Sequence, residues 1–77
     1  MIKLTELLEN TADSSKLNIT RGYETIFQGW KGLLNDPEKR RKLEIERLKV
    51  VNMVTSKRSG MGELLIFTQE MEPNETI

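Results

Sequence analysis

The stretch Asn18-Ile19-Thr20-Arg21-Gly22-Tyr23-Glu24-Thr25-Ile26-Phe27-Gln28-Gly29-Trp30-Lys31-Gly32-Leu33-Leu34 decides how this chain is read. Its apolar residues Ile19, Tyr23, Ile26, Phe27, Trp30, Leu33 and Leu34 follow at spacings of 4, 3, 1, 3, 3 and 1. Such spacing lays all of them in one stripe of an α-helix. Three of the chain's four aromatic side chains lie in it, so the stripe is expected to form the heart of the core. Asn18 or Thr20 suits the cap, accepting from the free amides of the first turn. Gly22, Gly29 and Gly32 stand against a regular helix, since each costs a helix interior about 1 kcal/mol relative to alanine. They read either as a close approach by another helix or as a kink or early end near Gly29.

Upstream, Leu4, Leu7 and Leu8 share one face at i, i+3 and i+4, with Glu6 and Glu9 turned to water, predicting a short amphipathic helix over about Lys3–Asn10. Thr11 to Leu17 carries cap- and turn-forming side chains and reads as a loop. Downstream, Asp36-Pro37-Glu38 has the order of an N-cap, a first-turn proline and a first-turn acid. The third helix is expected to run from Pro37 to about Ser56 or Lys57, with Gly60 as its stop. Leu43, Arg47, Val50 and Val54 align on it, Leu48 and Val51 widen that stripe, and Ile45 and Met53 lie off it. A helix apolar on more than one side is packed on more than one side. A second subunit is the economical cover for the remainder. Leu64 to Phe67 is too short a run for periodicity to settle. A short fourth helix or turn is favoured there, with an intermolecular strand as the alternative. The fold class expected is therefore mainly α: a three- or four-helix bundle over residues 1–72, with a possible short C-terminal strand and a flexible tail over 73–77.

Seventy-seven residues make one domain with a thin margin of stability. Cysteine and histidine are both absent, which removes disulfides, thiolate chemistry, zinc sites and imidazole catalysis together. Glu44 and Glu46 stand two apart on the expected helix and point to different sides, so they cannot flank one substrate atom. Gly60-Met61-Gly62 lacks the further glycine and the lysine of a phosphate loop. No enzyme, cofactor or metal is expected. Met1-Ile2-Lys3-Leu4-Thr5-Glu6 puts an acid where a signal peptide would be apolar, and no run of about 18 apolar residues occurs, so a cytoplasmic location is expected.

Twelve basic residues balance twelve acidic ones. A free-standing nucleic-acid binder usually carries a basic excess. Lys39, Arg40, Arg41 and Lys42, with Lys57 and Arg58, form the two basic clusters, but consecutive helical residues spread around the axis and make no groove-facing stripe. Nucleic-acid binding is thus the alternative rather than the leading reading. The expected function is a regulatory or adaptor protein that binds another protein, as a homodimer through the third helix and the C-terminal apolar segment. Leu48, Val51, Leu64, Ile66 and Phe67 are the expected anchors of that interface, with Arg47 and Arg58 at its rim.

Overall fold

A computed structural model describes residues 2–56 and 62–72. They are 48% strand and 30% helical, arranged as a mixed five-stranded sheet with two short α-helices. The expected helical bundle is therefore corrected. The reason begins in the deciding stretch. Leu17 and Ile19 alternate with Lys16, Asn18 and Thr20, and that period of two builds β2 (Lys16–Arg21) rather than a helical turn. Gly22 and Tyr23 form a two-residue loop, and β3 (Glu24–Trp30) returns antiparallel, Ile19 opposite Phe27. Gly22 holds φ 63, the left-handed value required at the first position of a type II′ hairpin turn, where glycine has no Cβ to clash. Tyr23, expected in a core stripe, projects fully exposed at the hairpin tip. Gly32 is a close approach: its N–H donates to the Asp13 carbonyl at 3.0 Å, and a Cβ there would meet Asp13 at 3.4 Å.

The first helix stands as expected, one residue shorter at each end. It is α1 (Leu4–Glu9), preceded by a two-residue strand β1 (Ile2–Lys3), and it buries Leu4 and Leu8 completely. The Asp36-Pro37 boundary is also real. The Asp36 carboxylate accepts from the Glu38 N–H at 3.0 Å and starts α2 (Pro37–Lys42). The expected third helix, however, lasts only six residues. Its remainder is a 3-10 turn (Ile45–Arg47) and then the nine-residue strand β4 (Leu48–Ser56). Glu44 breaks the helix by adopting φ 55, ψ 40, with its N–H bonded to the Arg41 carbonyl at 3.1 Å. The Val50-Val51 and Val54-Thr55 pairs then favour an extended chain, where β-branched side chains pack well.

Leu64–Phe67 is neither helix nor turn. It lies inside β5 (Glu63–Glu70), which inserts between β4 (antiparallel) and β2 (parallel), so that the order is β1-β4-β5-β2-β3. Both neighbours of that strand come from the chain itself, so the favoured helix or turn is corrected and the alternative of an intermolecular strand is not needed to pair it. Lys57, Arg58 and residues 73–77 lie outside the described residues.

Among the described residues, the helices cover one face of the sheet and leave the other open. Beneath them lie Leu17, Ile19, Phe27, Leu48 and Ile66 from the sheet, with Leu4, Leu8, Leu34 and Ile45 from the helical layer. Each fully buried leucine or isoleucine contributes about 1.5–3 kcal/mol relative to exposure. Among the described residues one charged group is buried with them. Lys31, only 7% exposed, donates through Nζ to Asp13 Oδ1 and Asn35 Oδ1, each at 3.1 Å, and Asn35 also donates to Asp13 Oδ1. This triad ties the loop before β2 to the 3-10 turn at Lys31–Asn35.

Candidate protein interface

Strand alternation assigns the paired sheet residues to the covered or the uncovered face. Across the covered face, Met53, Ile66, Ile19 and Phe27 form one row, and Thr55, Leu64, Leu17 and Gly29 the next. Across the uncovered face run Val54, Leu65, Asn18 and Gln28; Asn52, Phe67, Thr20 and Thr25; and Ser56, Glu63, Lys16 and Trp30. A sheet with one solvated face ordinarily turns polar residues outward. Here the outward rows carry Val54, Leu65 and Phe67 as contiguous neighbours, with Trp30 at the far corner. Val54 is 46% exposed and Trp30 47%.

The expected anchors divide across these two faces. Leu48 and Ile66 are fully buried in the chain's own core, and Leu64 packs against that core. None of those three is presented to a partner. Phe67 is partly buried on the uncovered face. Val51 is half-exposed and is the extra residue of a β-bulge, where Val50 pairs with Thr68 and Asn52 with Phe67. Arg47 sits on the helical side, 3.4 Å from Glu44, and does not rim the sheet face. Val54, Leu65 and Trp30 belong to the uncovered face but were assigned elsewhere or left out by helical periodicity. The alternation in β2, projected onto its neighbours, is the signal that finds them.

The basic run is split as well. Lys39 Nζ stands 5.9 Å over the Phe27 ring, and Arg40 Nε donates to the Leu34 carbonyl, while Arg41 and Lys42 are exposed. Arg40, Arg41 and Arg47 line an open cleft together with Asn35, Pro37, Glu44 and Glu46. The two carboxylates offset most of its positive charge. Among the described residues no group of three or more acidic side chains could hold a metal ion, and no helix is long and apolar enough to cross a membrane. Asp13 is held below the ordinary aspartate range, first by the hydrogen bond from Asn35, then by the bond and charge of Lys31.

No family model, curated protein or solved structure matches this chain.

Proposed function

We propose that this chain is a cytoplasmic, non-enzymatic adaptor or regulator that binds another protein through the uncovered face of its sheet. The observation that supports this reading is the contiguous apolar group Val54, Leu65 and Phe67 on a face that the helices leave open. Apolar groups gathered on a surface mark protein interfaces far more than singly scattered ones do. Trp30 stands apart on the same face, beyond Asn18, Gln28 and Lys16, and aromatic side chains dominate interface energetics. Phe67 is the central anchor, with Leu65 and Val54 packed beside it. Nucleic-acid binding has less support, because Lys39 and Arg40 are engaged within the chain and charged residues near Arg41 are of both signs.

Capture from cell extract with the wild-type chain and with Phe67→Asp tests the reading. The variant is expected to keep its far-ultraviolet circular dichroism and lose the protein that the wild type retains. Equal retention by both chains refutes the sheet face as the binding surface. Co-purification of nucleic acid instead, with an affinity falling steeply in salt and lost in Arg41→Ala, refutes protein binding itself.

A further inference from the structure

We propose that β4 pairs edge to edge with β4 of a second copy, antiparallel about Val54, fusing two five-stranded sheets into one. Among the described residues, β1 covers β4 only at Lys49 and Val50. Beyond that point the strand continues to Ser56. The Met53 N–H donates to the side-chain Oδ1 of Asn52 at 2.8 Å, so it points away from β5. Alternation turns the Thr55 backbone to the same outer side. Natural sheet edges are usually blunted by charge, proline or brevity. The run Val50-Val51-Asn52-Met53-Val54-Thr55-Ser56 has no charged residue and no proline, and Val51, Met53 and Val54 are 51%, 48% and 46% exposed.

The outward backbone groups define the occupant as an extended strand, and the side chains fit a second copy. The chain has no net charge to repel its like. The segment Asn52-Met53-Val54-Thr55-Ser56 is its own complement about Val54: polar Asn52 falls opposite Ser56, and Met53 opposite Thr55. In that register Met53 and Thr55 form the hydrogen-bonded pairs, and the two Val54 side chains meet at the close, non-bonded position on the two-fold axis. Met53 is covered on the helical side by Thr55 of the second copy. The Asn52 amide satisfies the Met53 N–H in the single chain and swings aside on pairing.

This inference rests on the protein-binding reading only in taking a protein as partner, since it uses the sheet's edge and shares Val54 but neither Leu65 nor Phe67 with the face. Sedimentation equilibrium of the full chain, from micromolar to millimolar concentration, is expected to show a dimer. Met53→Pro removes an outward N–H where an edge strand tolerates proline. The substitution acts twice in a two-fold dimer, so the dissociation constant should rise about ten- to a hundred-fold. Val54→Lys opposes like charges on the axis and should give a monomer, carrying the same test if the proline variant does not fold. Phe67→Asp should leave the constant unchanged. A wild-type chain monomeric throughout overturns the inference, as does wild-type affinity in Val54→Lys or dissociation caused by Phe67→Asp. A monomeric wild type whose captured protein is still lost with Phe67→Asp overturns the edge pairing alone and leaves the face reading standing.

Discussion

Ile66 and Phe67 are adjacent in sequence and on opposite faces of β5, and substituting each by alanine tests the fold and the candidate interface together. Ile66 has no exposed surface and packs among the core side chains beneath the helices. Truncating such a residue removes its transfer energy and leaves a cavity, at a cost of about 2–5 kcal/mol. A chain of this length is expected to have only about 4–12 kcal/mol in all. Ile66→Ala should therefore lower the urea midpoint by about 2 M or more, taking a slope of roughly 1 kcal/mol per molar for so small a protein. Phe67 faces the uncovered side and leaves no enclosed cavity. Its truncation loses partial burial and some strand preference, about 1–1.5 kcal/mol together. Its midpoint should fall by half that of Ile66→Ala or less. Equilibrium urea unfolding at one fixed protein concentration, followed by circular dichroism, measures both. A cost for Phe67→Ala equal to that of Ile66→Ala would refute the face assignment, because the uncovered surface would then not be uncovered.

Two further outcomes follow from local geometry. Glu44 holds a left-handed φ of 55, which costs a side-chain-bearing residue about 1–2 kcal/mol, while glycine gives back part of that gain through the freedom of its unfolded chain. Glu44→Gly should thus be more stable than Glu44→Ala by about 0.5–1 kcal/mol in thermal melts, both variants having equally lost the exposed pairing with Arg47; an alanine variant as stable as glycine would refute the strain. Asp13 is held below the usual aspartate range by Asn35 and Lys31, so the unfolded chain takes up its proton first as pH falls. The stabilisation is complete above the ordinary aspartate pKa and is lost as pH drops through the lower folded value. Asp13→Asn should make the loss of stability from pH 7 to pH 3 shallower, and an unchanged pH dependence in urea midpoints would refute the role of the triad.

How much of this was legible in the sequence depended on which signals were local. Leu4 and Leu8 fall one helical turn apart beside an exposed Glu9, and the Asp36 cap is complete within three residues; both are read directly. Residues 18–34 mislead because Ile19, Phe27, Trp30 and Leu34 satisfy a helical period by coincidence of a hairpin's length. The contrary signal was present in Gly22, which a helix tolerates at a cost and a two-residue hairpin turn requires. Leu17 and Ile19, alternating with Asn18 and Thr20, say the same. β4 was lost for a different reason. The α2 N-cap is real, and helical periodicity runs on past Leu43 through residues that a left-handed Glu44 removes from the helix. Nothing about glutamate announces that conformation. The expected interface fared accordingly: Leu48, Ile66 and Phe67 look equivalent as apolar residues, and only the pleat separates the buried from the presented. Val54 and Leu65 become neighbours through a pairing that no single window of sequence contains.

The candidate surface is also conditional on the last step of topology. β2 and β3 can pair locally through their short hairpin, but β5 meets β2 in parallel, with about forty residues of chain between them. Pairings of that range form late, because the loop entropy must be met before the contact contributes. Leu65 and Phe67 lie on β5, Asn18 and Thr20 on β2, and Val54 and Asn52 on β4, so the uncovered apolar rows are assembled only when β5 is seated between its neighbours. The same insertion buries Ile66 against Ile19 and places Thr68 Oγ1 2.9 Å from the Thr20 carbonyl to which it donates. Folding and assembly of the candidate surface are thus one event on one strand, with Leu64, Ile66 and Thr68 turned to the core and Leu65 and Phe67 to the uncovered face. A chain that cannot seat β5 loses both together, which is why a binding defect at Leu65 or Phe67 is informative only beside an intact core at Ile66.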